Sequence, residues 1–152
     1  MTMNGGHMPT RSLAIRSSEY ALPEPGEWCP PTTIIDLSSD GPPGLIAELV
    51  DAFHDDGVVR LVELNNALEH SELDRIKRAA HSIRGAARQM GAEGVSAISE
   101  SIEQQAAAGN CEDLIDLACR LRWVFLRECE SMRDYLQRQG CVLSAAKIRP
   151  CR

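Results

Sequence analysis

From Pro42 to about Gln139 apolar residues recur every three or four positions, with only short polar or glycine-containing breaks between the runs. That spacing is the mark of amphipathic helices. Pro42 and Pro43 suit a helix start. A first helix is expected to about Asp55, with Leu45, Ile46, Leu49, Val50 and Phe53 inward and Gly57 as its break. A second follows to His70, with Val58, Leu61, Val62 and Leu68 inward. Ser71 with Asp74 reads as a capping pair that opens a third, whose stripe is Leu73, Ile76, Ala80, Ile83, Ala87 and Met90. A fourth carries Val95, Ile98, Ile102 and Ala106 and stops at Gly109. Asn110, with Glu112 and Asp113 in the first turn, is expected to cap a long fifth, with Leu114, Leu117, Leu121, Val124, Met132 and Leu136 inward and Gly140 closing it. Short loops make consecutive helices antiparallel. The expected fold is all-α: an up-down antiparallel four-helix bundle with an additional N-terminal capping helix, over residues 42–139.

Residues 1–41 hold five of the eight prolines and read as a largely disordered tail. Thr33-Ile34-Ile35-Asp36-Leu37 is a candidate lead-in segment packing on the domain, and residues 140–152 read as a short C-terminal tail. Arg11 and Arg16, with serines around them, faintly resemble a transit peptide, while residues 1–20 lack the continuous apolar region of a secretory signal. No apolar run approaches the roughly 20 residues of a membrane helix. Aromatic residues make up 4% of the 152 and hydrophobic residues 43%, so the core must be aliphatic, which favours helices over a sandwich or barrel. A formal net charge of −6 argues against wholesale coating of nucleic acid. The six cysteines form no C-x-x-C pair and no zinc spacing with histidine, which points to free thiols in a reducing cytoplasm.

The third helix departs from a bland pattern. At about 100° per residue, His81 lies about 130° from the mean of the inward stripe and is therefore expected to be exposed. Lys77 and Arg78 lie one turn before it; Arg84, Gly85 and Arg88 lie one and two turns after it, on its side of the helix. Neighbouring cations disfavour protonation of an imidazole, and the neutral form is the nucleophile. The same cations would hold an anionic group attached to it, and a phosphoryl group is the natural candidate. Gly85 costs a helix about 1 kcal/mol relative to alanine. It either clears space for a partner's backbone or relieves packing against a neighbouring helix.

The stretch His81-Ser82-Ile83-Arg84-Gly85-Ala86-Ala87-Arg88-Gln89-Met90-Gly91-Ala92 resembles the motif of histidine-containing phosphotransfer (HPt) domains. That pattern is His, any residue, an aliphatic, Lys or Arg, Gly, two small residues, two variable ones, an aliphatic, Gly and a small residue. The resemblance extends over about residues 42–138 through Phe53, the Ala79-Ala80 pair and Ile102-Glu103. It implies a helical bundle with His81 as phosphoacceptor, Arg84 as the cation near the phosphoryl group and Gly85 as clearance for the partner. Lys77 and Arg88 join Arg84 as phosphoryl-stabilising candidates, and Arg78 joins Gly85 in docking. Lysine is the more usual residue at the Arg84 position, and Arg88 is bulkier than the family commonly carries there.

The function so implied is a relay of phosphoryl groups between receiver-domain aspartates, with a response-regulator receiver and a hybrid histidine kinase as partners. The chain is then expected to be a phosphoryl carrier more than an enzyme, with Mg²⁺ and most catalytic groups on the partner. No cofactor, metal, nucleic acid or membrane is expected, and the chain is expected to be monomeric and cytoplasmic. A non-phosphorylated adaptor or inhibitor docking on a receiver or kinase is the alternative, and a cysteine-based redox or metal sensor a third class. Other candidates are weaker. His54-Asp55-Asp56 are adjacent on a helix and do not converge on a metal. His7 and His70 read as solvated, and Trp123 and Phe125 as core or edge packing, with an interface role second.

Overall fold

The computed structural model describes residues 27–140, and among these there is no strand. Five helices follow one another: α1 Thr32–Ser39, α2 Leu45–Glu69, α3 Leu73–Met90, α4 Glu93–Ala107 and α5 Leu114–Arg138. The fold is the expected all-α bundle, built from α2 to α5, but the capping helix expected over 42–55 is the first part of α2, and the additional N-terminal helix is α1, packed on α2. Neighbours around the bundle are α2–α3, α3–α4, α4–α5 and α5–α2. The edge formed by α3 and α4 therefore lies opposite the edge formed by α2 and α5. Leu64, Ile76, Ile102, Leu121, Phe125 and Met132 are fully buried between the four helices.

Several local expectations are corrected. Gly57 does not end a helix, because α2 runs through it without interruption. Gly57 is buried, and a Cβ placed on it would lie 2.3 Å from Cε2 and Cζ of Phe125. It is the gap through which α2 and α5 approach each other. With α2 continuous, the inward stripe shifts: Leu61 and Leu64 are buried, whereas Val58 and Val62 are exposed. Ser71 does not cap α3. It adopts a left-handed φ of 54°, its N–H bonds the Leu68 carbonyl, and Glu72 N–H reaches the Ala67 carbonyl at 2.9 Å. That pattern closes the end of α2. Gly91 and Gly109 close α3 and α4 in the same way, with φ of 68° and 73°. The side chain of Asn110 accepts from Glu112 N–H in a turn, and α5 begins only at Leu114.

The lead-in to the bundle is ordered structure. The tail expected over residues 1–41 gives way, within the described residues, to α1 and to a buried Trp28. The Trp28 indole N–H donates to the Met90 carbonyl at 2.7 Å, and its ring meets Tyr135 edge-on at 5.4 Å. A buried indole needs a partner for its N–H, and the end of α3 supplies one. Pro31 then packs against Gly91. The lead-in therefore ties the α3–α4 turn to α5. His7, Arg11, Arg16, Cys141, Cys151 and the tail over residues 141–152 lie outside the described residues.

A second tie joins α4 to α5. Glu128 of α5 accepts from the Gly94 N–H at 2.8 Å, at the first turn of α4, where free N–H groups need an acceptor. Burial raises the pKa of this carboxyl, opposed by backbone hydrogen bonds from Gly94 and Val95 and helped slightly by the charge of Glu93.

Candidate functional site

α3 places His81 midway along its length, on the outer face of the α3/α4 edge. Its side chain is 65% exposed. The helix continues past it because its inward positions, spaced four, three and four apart, are apolar: Ile76, Ala80, Ile83 and Ala87 are all buried. The imidazole is not loose. Its Nδ1 lies 2.9 Å from Oε1 of Glu103, which projects from α4 and is only 16% exposed. An ionised carboxylate only accepts, so Nδ1 carries the proton and Nε2 presents its lone pair to solvent.

Arg84, one turn further along α3, is less exposed at 22%. Its Nη2 is 3.2 Å from Oε2 of Glu103, an ion pair whose angle falls short of a hydrogen bond. Its Nη1 is 3.5 Å from Oε1 of Glu100. Nη2 also lies 3.5 Å from Nδ1 of His81. With Nδ1 protonated both atoms are donors, so this proximity reflects their shared approach to Glu103. The surroundings of His81 are thus a mixed array of arginine and two glutamates, and not the purely cationic cluster expected. Glu100 and Glu103 were not among the candidate residues because they sit on the neighbouring helix. Their spacing of three, beside the buried Ile102, is the signal that marks that face of α4.

The other candidates fall into place around this triad. Lys77, Arg78 and His81 line one shallow hollow with Asp74, Ser82 and Glu103. Arg78 also turns its Nε to the Asp74 carbonyl at 3.3 Å and borders a second hollow between α2 and α3. Arg88 is exposed two turns beyond His81. Gly85 is exposed, and a Cβ built on it meets nothing within 4 Å. That removes one of the two readings of this glycine, since it relieves no packing against a neighbouring helix.

The weaker candidates assemble no second centre. His54 is largely buried, with its ring stacked 6.2 Å from Phe125 and Nδ1 3.2 Å from Asp55. His70 sits with Nδ1 2.8 Å from the Asn66 carbonyl. Among the described residues no group of three or more His, Cys, Asp or Glu side chains could hold a metal ion. Cys29, Cys111 and Cys119 are exposed free thiols, and Cys129 is buried in the core. Phe125 is core, as expected, but Trp123 is 46% exposed, with Arg127 stacked 5.0 Å over its ring. No helix is long and apolar enough to cross a membrane among the described residues.

Compared with known families, the chain matches the family model described as Hpt domain over residues 48–139, more than half of its length. The match begins within α2 and ends just past α5, so it spans the bundle and the His81 edge. No curated protein and no solved structure matches the chain.

Proposed function

The chain belongs to the Hpt domain family, whose members are phosphocarrier modules of two-component signalling, and on that premise we propose that it relays a phosphoryl group between receiver-domain aspartates through His81. The observation that carries this reading is the exposed imidazole whose Nδ1 is held by Glu103, leaving Nε2 free for attack.

The step balances as follows. The Nε2 lone pair attacks the phosphorus of an aspartyl phosphate on the receiver. The P–N bond forms as the P–O bond to the aspartate breaks, and the departing carboxylate keeps the electron pair. The ring is then a cation with its proton still on Nδ1 and donated to the Glu103 carboxylate, which stabilises the positive charge by a charge-assisted hydrogen bond. The reverse step returns the phosphoryl group to a second receiver. Transfer is in line, and catalysis is chiefly positioning and charge stabilisation. Arg84 stands one turn away to meet the phosphoryl oxygens, with Lys77 and Arg88 adding positive charge along the same face. Gly85 and Arg78 belong to docking: the glycine leaves open space where the receiver's backbone must come close. Mg²⁺ and the remaining catalytic groups belong to the partner, which is a receiver domain on one side of the relay and a hybrid histidine kinase on the other. We place the chain in the cytoplasm. A docking-only adaptor has no use for an imidazole with a fixed tautomer, so that alternative has less support.

The test is transfer from a phosphorylated receiver. The label on this chain should be acid-labile and alkali-stable, as a phosphoramidate is. His81→Gln should abolish it while changing stability by no more than about 0.5 kcal/mol, the usual effect of an exposed polar substitution. Undiminished labelling of that variant would place the phosphoacceptor elsewhere.

A further inference from the structure

The end of the bundle where α3 gives way to α4 is also where α2 begins and α5 ends, and the lead-in wraps around it. Residues 27–41 run from α5 across the α3–α4 turn to α2. Few contacts hold them there. Glu27 pairs with Arg138 at 3.1 Å on the surface. The Trp28 backbone N–H donates to Oγ of Ser131 at 2.9 Å. The indole reaches the Met90 carbonyl and meets Tyr135, and Pro31 lies on Gly91. Beyond Pro31, only Ile34 is buried before α2 begins.

This segment is sparsely anchored. Trp28, Pro30 and Ile34 are its buried residues, three in fifteen, against nine in twenty-five along α5. Every ordered residue costs backbone entropy whether or not it buries a side chain, so the segment with fewer buried residues is held more weakly. α1 adds little hold of its own. At eight residues it is shorter than helices that persist alone in water. No side chain caps its start, its first turn has no acid and its last turn has no base. Ile35 and Leu37 point to solvent, exposed at 41% and 64%.

The link to the bundle has the composition of a hinge. α1 is joined to α2 by Gly41-Pro42-Pro43-Gly44. The two prolines have no N–H to offer the bundle. Gly44 takes a left-handed φ of 89°, with nothing within 4 Å of the place where a Cβ would sit. A stiff Pro-Pro arm thus lies between two residues whose backbone turns freely. The bundle on the other side of this link is complete without the segment. Its four helices close on one another in pairs around a shared core, and the family match over residues 48–139 includes no part of residues 27–41.

We propose that residues 27–41 are a strap, hinged at residues 41–44 and latched by Trp28, that releases as a unit while α2 to α5 stay folded. Release uncovers the socket of the indole: the Tyr135 ring, the Ser131 hydroxyl and the Met90 carbonyl at the end of α3. The latch lies nine residues past His81 on α3, about 13 Å along the helix axis. The phosphoacceptor edge therefore keeps its geometry in both states, and the strap does not depend on the phosphotransfer reading.

The two tryptophans allow a direct test, because Trp28 is buried and Trp123 is exposed. In the full chain carrying Trp123→Phe, tryptophan fluorescence reports the latch and helical circular dichroism reports the bundle. Urea should shift the Trp28 emission to the red at a lower midpoint than the one at which the helical signal is lost. Amide exchange of the wild-type chain reads the same event residue by residue. The N–H groups of Trp28, Ile34 and Ile35 should be protected about a hundredfold less, or weaker still, than those of Leu121 and Phe125. Trp28→Ala should strip the remaining protection from Ile34 and Ile35 yet leave the helical midpoint near that of wild type, whose bundle reaches its midpoint with the strap already released. Coincident fluorescence and dichroism transitions overturn the proposal, as does equal protection of strap and core. A Trp28→Ala chain that loses its helices overturns it too.

Discussion

Gly57 and Gly85 both sit inside helices, and each gives up about 0.5–1 kcal/mol of helix stability relative to alanine. The space around them separates their fates. A methyl at Gly85 enters a void, with nothing within 4 Å. Gly85→Ala should therefore keep the propensity gain in full. For a domain of about a hundred residues, where 1 kcal/mol moves the midpoint by about 4–8 °C, that raises Tm by about 2–8 °C. A methyl at Gly57 lands 2.3 Å from the ring of Phe125. That ring has no room to yield: it is fully buried, 5.4 Å from Phe53 and 6.2 Å from His54. Overpacking of this kind costs about 1–3 kcal/mol, which exceeds the propensity gain. Gly57→Ala should lose about 1 kcal/mol net and melt about 4–8 °C lower. Thermal unfolding followed by circular dichroism, with receiver transfer measured on the same samples, gives both readouts. Gly85→Gln should also be at least as stable as wild type, yet transfer slowly if, as proposed, the open space beside Gly85 is where the receiver docks. A lower Tm for Gly85→Ala, or a higher one for Gly57→Ala, would refute the packing argument. Wild-type transfer by Gly85→Gln to every receiver tested would refute the docking role.

Glu103→Ala removes the acceptor that fixes the His81 tautomer and should slow receiver transfer about tenfold, the worth of one charge-assisted hydrogen bond of about 1.5 kcal/mol; Glu103→Gln, which keeps an oxygen for Nδ1 but no charge, should fall between the two, and equal initial rates for alanine and wild type would rule the role out. Glu128 titrates higher in the folded chain than in the unfolded one, so the folded state binds the extra proton and this group's contribution falls as pH rises from the ordinary glutamate value through the raised one. Urea unfolding at several pH values should show wild type losing ground to Glu128→Gln across that window and levelling above it; a difference that does not change with pH would contradict the assignment.

What the sequence discloses depends on whether the deciding neighbour is near in the chain. α3, α4 and α5 are legible as single helices because each stripe is set by residues three and four apart. The exposure of His81 follows from the same periodicity, since six inward residues of its own helix fix the direction of the face. Gly57 is misleading because the reason for it, Phe125, lies on another helix, and a lone glycine in an apolar run otherwise looks like a break. Splitting α2 there moves Val58 and Val62 from the surface to the core. Trp28 lies among prolines that read as a tail, and its ordering comes from Met90 and Tyr135, far along the chain. Glu103 falls in the same class: nothing local to His81 announces a carboxylate that only the packing of α4 brings within 2.9 Å.

That carboxylate also gives a physical reason for arginine at a position where lysine is more usual. A lysine ammonium is a single point of charge at the end of a flexible stem, whereas the arginine fork presents two nitrogens in fixed relation. Here Nη1 and Nη2 approach Glu100 and Glu103 separately, so one side chain of α3 is tied to two successive acidic positions of α4. Holding Oε2 of Glu103 from one side leaves Oε1 directed at Nδ1 of His81 on the other. On the proposed phosphotransfer, Arg84 is in this way a positioning residue before it is a phosphoryl ligand, because it orients the group that orients the imidazole. The exposed Glu100 pair is the weaker hold, worth at most about 1 kcal/mol in water. On that proposal a phosphoryl group arriving on Nε2 would compete with Glu100 for the guanidinium more readily than with the half-buried Glu103. The arginine can then turn one nitrogen to the phosphate while the other keeps the tautomer in place, which a lysine with one nitrogen cannot do.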